Sequence, residues 1–210
     1  MRLAINGYGR IGRTLLRALH ESRHKSGLEI VAINELADAA TVVHLTRYDS
    51  TFGRFPGSVQ LLPNRICVSG AEIQLLREPE IENLDWSKMG VDLVLECTGA
   101  FSDRQSAQMH VSRGASRVLL SQPATPDVDT TIVFGVNESQ LQPGYEVVSA
   151  ASCTTNGIVP VIAALDEAFG IEFGTITTIH SAMNDQPVLD AYHDTDLRKT
   201  RAASSSIIPV

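Results

Sequence analysis

The segment Gly7-Tyr8-Gly9-Arg10-Ile11-Gly12 is the strongest indication of the fold, because it joins a short apolar run to an amphipathic pattern. Leu3 to Asn6 predicts a buried strand before the glycines. Arg10 to His24 predicts a helix after them, since its apolar residues recur at helical spacing. Ile30 to Asn34 predicts a second strand. Together these elements have the size of one βαβ unit.

The three glycines have the G-x-G-x-x-G spacing of a dinucleotide-binding turn between a strand and a helix. Gly7 permits the tight turn, Gly9 lets the backbone approach a pyrophosphate, and Gly12 lets the helix pack closely on the strand. Glu35 follows Gly12 by 23 positions, close to the spacing at which an acid meets the adenosine ribose. A carboxylate there repels a 2′-phosphate, so the pattern predicts NAD rather than NADP.

The rest of the chain alternates between apolar β-rich runs and helical patterns, which is typical of an α/β fold with a Rossmann-type, doubly wound parallel sheet. Further strands are predicted at Val91 to Cys97, Val118 to Ser121, Thr131 to Val136, Glu146 to Ser149 and Thr175 to His180, with short antiparallel strands between Phe52 and Leu76. Further helices are predicted from Glu35 to about Arg47, Asp103 to Arg113 and Thr154 to Phe169, and a polar loop from Met183 to Ser206. Ligands bind at the carboxyl edge of such a sheet, so Thr98 and Ser121, which follow two of the strands, are candidates for cofactor contacts.

Composition argues against several classes of protein. The formal net charge is -7, and acidic and basic residues are interspersed, which disfavours a nucleic-acid-binding surface. No run approaches the roughly 18 apolar residues of a membrane helix, so we expect no membrane association. The three cysteines, Cys67, Cys97 and Cys153, are odd in number and form no CxxC pair, which disfavours a disulfide framework or a structural metal site. We therefore expect a cytoplasmic protein without a metal.

Cys153 is the strongest candidate for a nucleophile. It follows a predicted strand, opens a predicted helix and lies among hydroxyls and amides in the segment Ser149 to Asn156. A helix N-terminus stabilises a thiolate through its unpaired N–H groups and its dipole. Cys67 and Cys97 lie in apolar strands and fit the usual interpretation of a buried cysteine. His180 ends a predicted strand and is the candidate base, although a lone histidine is more often structural.

A dinucleotide site and a reactive thiol in one chain suggest the oxidation of an aldehyde. The thiolate adds to the aldehyde carbon to give a thiohemiacetal, and a hydride then leaves to the nicotinamide. Water or phosphate releases the resulting thioester. A base near the sulfur assists by removing the hydroxyl proton.

Five segments in order resemble the glyceraldehyde-3-phosphate dehydrogenase family along essentially the whole chain: INGYGRIGR, ECTG, SAASCTTN, TITTIHSA and DLRKTRAASSSIIP. The resemblance implies an NAD-binding Rossmann domain over residues 1–151 and the truncated start of an α+β catalytic domain over residues 152–210. Members of the family continue beyond the last segment, so we expect a fragment. The resemblance also implies a phosphorylated aldose substrate and a homotetramer.

Individual roles follow from the resemblance. Cys153 is the implied nucleophile and His180 the residue that activates it. The implied substrate contacts are Ser152, Thr154, Arg198 and Lys199. The implied cofactor contacts are the backbone of Arg10 and Ile11 at the pyrophosphate, Glu35 at the ribose, and the main-chain carbonyl of Pro79 near the adenine.

Three segments, AINELADAA, TITTIHSAM and SIIPV, are similar to the branch of the family that oxidises erythrose 4-phosphate to 4-phosphoerythronate for pyridoxal phosphate synthesis. Glycolytic members usually have aspartate where this chain has Glu35, and a phosphate-binding threonine where it has Met183. Lys199 replaces a second arginine of that branch, which keeps the charge but loses the bidentate fork. Two alternatives stay open: glycolytic oxidation of glyceraldehyde 3-phosphate, and an inactive chain that holds NAD without chemistry.

Overall fold

The computed structural model describes residues 1–22, 27–184 and 186–209. The strands are β1 (Arg2–Asn6), β2 (Glu29–Asn34), β3 (Tyr48–Asp49), β4 (Gly53–Arg54), β5 (Val59–Leu62), β6 (Arg65–Val68), β7 (Ala71–Leu76), β8 (Leu93–Glu96), β9 (Arg117–Leu120), β10 (Thr130–Thr131) and β11 (Val147–Ser149). The α-helices are α1 (Arg10–Glu21), α2 (Ala39–Arg47), α3 (Trp86–Met89), α4 (Arg104–Ser112) and α5 (Cys153–Phe169). The helix predicted from Arg10 is present, and its predicted end at His24 lies outside the described residues.

Nine of these strands form one sheet in the order β10-β11-β9-β8-β1-β2-β7-β6-β5. The seven strands from β10 to β7 are parallel to one another, and β6 and β5 continue the sheet as antiparallel strands. The chain runs from β1 to β2 on one side and reaches β8 on the other. The carboxyl ends of β1, β2 and β8 therefore form the switch point at which doubly wound sheets bind ligands. The predicted fold class is confirmed.

Side chains that alternate along the strands supply the two faces of the sheet. Leu3 and Ile5 of β1 belong to a core with the buried residues of α1, α2 and the antiparallel arm. Ala4 between them belongs to the opposite core, which contains Trp86 and the buried residues of β8, β9 and α4. Helices thus cover both faces of the sheet. Among the described residues, each helix falls short of the length and apolar character that crossing a lipid bilayer requires.

The strand predicted from Thr131 to Val136 is much shorter than expected. β10 ends at Thr131, and the Val136 N–H then donates to the Val133 carbonyl to close a turn. The Asn137 side chain competes for the backbone by accepting from the Val133 N–H at 2.7 Å. Gly135 has φ of +82°, a conformation that a strand does not use. Local turn chemistry overrides β propensity here.

Two compact units divide the chain, Met1–Phe169 and Gly170–Val210. The second unit has one short 3-10 helix, Leu197–Thr200, and is otherwise irregular in its described residues. The strand predicted from Thr175 to His180 is wrong. A strand needs a neighbouring strand to satisfy its backbone, and within the described residues no β-bridge is assigned to this segment, whose Ile179 is 90% exposed. The domain boundary after residue 151 stays a prediction.

Candidate functional site

A cavity of about 260 Å³ lies at the switch point of the sheet. It is lined by Asn6, Gly7, Gly9, Asn34, Glu35, Leu36, Glu78, Pro79, Cys97, Thr98 and Phe101. Gly7, Gly9, Glu35, Pro79 and Thr98 are five of the residues for which the sequence predicts cofactor contacts. These residues follow the ends of β1, β2 and β8 or lie in the segment after β7. The fold therefore brings them together around one cavity.

The glycines of the first turn differ in their surroundings. A Cβ on Gly7 would lie 2.6 Å from the Thr98 nitrogen, and a Cβ on Gly12 would collide with the Gly7 carbonyl oxygen. Gly7 also has φ of +87°, in the region that favours glycine. Gly9, in contrast, has no atom within 4 Å of the position of a Cβ, so it opens onto free space beside the cavity. This open cradle fits a pyrophosphate that approaches the backbone.

The N-terminus of α1 is free to bind an anion. Its N-cap, Gly9, makes no side-chain hydrogen bond, and its first turn contains no acidic residue. By comparison, Asp38 caps α2 and Asp103 caps α4 with carboxylates that accept backbone N–H groups. The predicted pyrophosphate contacts Arg10 and Ile11 form the exposed first turn of α1. Free N–H groups and the positive end of the helix dipole suit this position to phosphate.

Glu35 connects the glycine-rich turn to the end of β2. One oxygen of its carboxylate accepts from the Tyr8 N–H at 2.8 Å, and the other accepts from the Ala37 N–H at 3.1 Å. Each carboxylate oxygen has further lone pairs. The half-buried side chain also lines the cavity, so it can accept ribose hydroxyls while it supports the turn.

Ser121 lies apart from the lining of the cavity. Its N–H donates to the Glu96 carbonyl at 3.0 Å, which places it just beyond the end of β9. Burial raises the pKa of the adjacent Cys97 thiol to about 11, against a hydrogen bond with Ser121 that lowers it. The thiol of Cys97 therefore stays protonated at neutral pH, as expected of a structural cysteine.

Cys153 is exposed and is the first residue of α5, one position earlier than the predicted start of that helix. Ser152 precedes it and caps the helix, because its hydroxyl oxygen accepts from the Thr155 N–H at 2.9 Å. Thr154 follows it in the first turn. All three lie beyond the carboxyl end of β11, on the same edge of the sheet as the cavity.

The turn between β11 and α5 is strained and held on both sides. Ala151 has φ of +60°, which is uncommon for a residue with a Cβ. The buried Ser149 hydroxyl accepts from the Ala151 N–H at 3.1 Å. The amide of Asn156 donates to the carbonyls of Ala150 and Ser152 at 2.7 and 2.9 Å. Strain of this kind is often found where a reactive group is presented.

The second unit contains the other predicted site residues. His180 is half-buried, and its Nδ1 lies 2.6 Å from the Ser181 carbonyl oxygen. Arg198 is exposed and makes a bidentate pair with Asp196 at 3.0 and 2.8 Å. These hydrogen bonds lower the pKa of Asp196 to about 2. A phosphate that binds Arg198 must therefore compete with a carboxylate. Lys199 is half-buried beside it.

A buried polar group that the sequence motifs do not predict lies under the cavity. Asn6, Asn34 and Glu96 are 2%, 6% and 0% exposed, and hydrogen bonds join them across three adjacent strands. One signal was present in the sequence, because Glu96 is an acid at the end of an otherwise apolar strand. Burial of a carboxylate requires partners, and an acid in such a strand therefore predicts them.

Two family models match the chain. The model of the glyceraldehyde 3-phosphate dehydrogenase NAD binding domain matches residues 1–104. The model of the glyceraldehyde 3-phosphate dehydrogenase C-terminal domain matches residues 152–210, which include Cys153 and His180. The first match contains the glycine-rich turn, Glu35 and Thr98, so NAD is the cofactor that this domain binds. With its Rossmann-type sheet and its cavity at the switch point, the chain belongs to the glyceraldehyde-3-phosphate dehydrogenase family of NAD-dependent oxidoreductases.

Proposed function

We propose that this protein oxidises erythrose 4-phosphate to 4-phosphoerythronate, with Cys153 as the nucleophile and NAD as the oxidant. The observation that carries the proposal is the position of Cys153 at the N-terminus of α5, on the sheet edge that also carries the dinucleotide cavity. Cys153 is exposed there, and the N-terminus of a helix favours the thiolate form that attacks an aldehyde.

The reaction begins when the Cys153 thiolate forms a C–S bond to the aldehyde carbon; the π bond of the carbonyl group breaks, and its oxygen takes a proton to give a thiohemiacetal. We assign to His180 the role of base, which takes the proton from the hydroxyl group of the thiohemiacetal. When bound, NAD would supply the acceptor for the hydride of this carbon. The product is a thioester on Cys153. The N–H groups of the first turn of α5 and the Thr154 hydroxyl are the donors that would stabilise oxyanions at the sulfur-bound carbon.

Water releases the thioester in this proposal, giving the free acid and the thiol. Met183 supports this choice, because a thioether cannot donate a hydrogen bond to an inorganic phosphate, whereas a threonine hydroxyl can. The Met183 backbone N–H donates to the Gln186 side chain at 2.9 Å, so it is engaged within its own loop. Arg198 and Lys199 are the cations we assign to the phosphate of the substrate. The proposed assembly is a homotetramer in the cytoplasm that makes a precursor of pyridoxal phosphate.

Steady-state kinetics tests the substrate and the acceptor together. NADH formation is measured with erythrose 4-phosphate and with glyceraldehyde 3-phosphate, each with and without inorganic phosphate. We expect a higher kcat/KM for erythrose 4-phosphate and a rate that does not depend on phosphate. A clear preference for glyceraldehyde 3-phosphate, or a requirement for millimolar phosphate, would assign the protein to the glycolytic reaction instead. NAD binding without turnover of either aldehyde would favour a chain that only holds the cofactor.

A further inference from the structure

The carboxylate of Glu96 is the centre of a polar network beneath the NAD cavity. Its side chain is fully buried at the end of β8. One oxygen accepts from the Asn6 amide at 2.6 Å and lies 3.0 Å from His110 Nε2. The other accepts from the N–H and the hydroxyl of Thr98. Four donors thus surround one buried carboxylate, which satisfies its charge without a cation.

The first branch of the network has only one possible direction. The indole N–H of Trp86 donates to His110 Nδ1 at 3.0 Å, and an indole nitrogen can only donate. His110 Nδ1 is therefore the acceptor. The ring proton is on Nε2, from which it points to Glu96. His110 is fully buried, so this tautomer is enforced by its two neighbours.

The second branch runs from the cavity wall and is also directed toward Glu96. The backbone N–H of Glu78 donates to the Asn34 amide oxygen at 2.9 Å. The Asn34 amide nitrogen must then be the donor to the Asn6 oxygen, at 2.7 Å. The Asn6 nitrogen is left to donate to Glu96. Each branch ends in a donor that cannot reverse, an indole or a backbone N–H, and both converge on an acceptor.

We propose that Glu96 is a positioning residue of the NAD site, which it shapes through Asn6, Asn34 and Thr98. Glu96 does not line the cavity, but these three residues do, as does Glu78 at the far end of the second branch. Only a side chain with an acceptor atom on each side, such as a carboxylate, can accept from Asn6 and His110 at one oxygen and from Thr98 at the other. The carboxylate therefore holds the amides of Asn6 and Asn34 in one orientation and keeps Thr98 against the glycine-rich turn.

Glu96→Gln tests the proposal because it removes one acceptor with almost no change in shape. An amide accepts through its oxygen and donates through its nitrogen. The NH2 group of the introduced glutamine must therefore face one of two sides: the side of Thr98, or the side of both Asn6 and His110. If Asn6 rotates to accept, the Asn34 amide must rotate too, and its nitrogen then faces the Glu78 N–H. Two donors then face each other at Asn34 and Glu78, which line the cavity. We expect NAD affinity, measured by calorimetry, to fall about tenfold or more.

The control is Val94→Ala, a fully buried change on the same strand that has no hydrogen bond to the cavity wall. Val94→Ala should lower the Tm. Its NAD affinity should stay within about twofold of that of the unmodified protein, when the affinity of each variant is measured at a temperature below its melting range. Equal loss of affinity in Val94→Ala and Glu96→Gln would mean that Glu96 acts only through stability, and would overturn the proposal.

A second variant moves the carboxylate by one position along the network. When Asn6→Asp is combined with Glu96→Gln, the introduced carboxylate accepts from Asn34 and from the introduced amide, whose oxygen accepts from Thr98. The cavity side of the network is then satisfied again, while His110 still faces a donor. We expect most of the lost NAD affinity to return although the Tm stays low. A double variant that binds NAD no better than Glu96→Gln would contradict the proposal. The rate of alkylation of Cys153 is measured in the same variants, and we expect it to be unchanged in each. A change in NAD affinity can then be distinguished from a failure of the proposed chemistry at Cys153.

Discussion

The carboxylate of Glu35 sets the cofactor preference that we expect. It lines the cavity, and its place after the second strand is the one at which we expect an acid to meet the adenosine ribose and repel a 2′-phosphate. NAD should bind at least roughly tenfold more tightly than NADP, which corresponds to about 1.4 kcal/mol. Glu35→Gln keeps an acceptor for the Tyr8 N–H but loses the charge, so the preference should shrink. Calorimetry with both dinucleotides measures this, and equal affinities in the unmodified protein would remove Glu35 from the assigned role.

The three thiols should differ in reactivity. Cys153 is exposed at a helix N-terminus, whereas burial raises the pKa of the Cys97 thiol to about 11. A raised pKa keeps Cys97 protonated, so its alkylation should increase only as the pH approaches that value. Iodoacetamide at pH 7 followed by peptide mass mapping should find the label on Cys153 first. Earlier labelling of Cys67 or Cys97 would contradict the assignment of the nucleophile.

The strand-turn-helix element formed by β1, the glycine-rich turn and α1 gives a matched pair of substitutions. Gly12→Ala places a Cβ against the Gly7 carbonyl, so it should destabilise the fold by about 1–3 kcal/mol. Gly9→Ala meets no neighbour within 4 Å, so the Tm should change little. Its methyl group, however, would occupy the space in which we expect the pyrophosphate to bind, so NAD affinity should fall. Thermal melts and calorimetry separate the two effects, and a Gly9→Ala protein with unchanged NAD affinity would place the pyrophosphate elsewhere.

Local patterns predicted the elements well where the strands are buried in the parallel sheet. Five strands lie within the predicted runs or exceed them by a residue: β1, β2, β8, β9 and β11. A buried strand and the turn that ends it are both recognised from residues that are adjacent in sequence. The segment Thr175 to His180 has equally strong β propensity, yet it forms no strand. A segment forms a strand only when another strand pairs with it, and the local sequence pattern does not show whether such a strand is available.

The candidate site was predictable only in part for the same reason. Spacing identified Gly7, Gly9, Gly12 and Glu35, since the motif is local in sequence. The hydrogen bonds from Asn6 and His110 to Glu96 join residues that are far apart or on different elements, and their directions depend on three-dimensional contacts. A buried acid in a strand indicates that partners exist, but it does not identify them.

Across the molecule, the parallel sheet is what relates the cofactor to the thiol. The parallel strands β1, β2, β8, β9 and β11 all end at one edge, so the glycine-rich turn, Glu35, Thr98 and Cys153 follow strands that point the same way. This common direction is why two motifs almost 150 residues apart in sequence can serve one reaction. The proposed function therefore requires Cys153 to carry the substrate while the cavity on the same edge of the sheet holds NAD.

Mass spectrometry of the protein after mixing with NAD and erythrose 4-phosphate can detect the substrate on Cys153. The reaction is quenched in acid, and the peptide that contains Cys153 is compared with the same peptide from samples without NAD and from Cys153→Ser. We expect an acyl adduct on Cys153 that forms only with NAD, together with NADH absorbance. No adduct on Cys153, or one on Cys67 or Cys97, would contradict the proposed function.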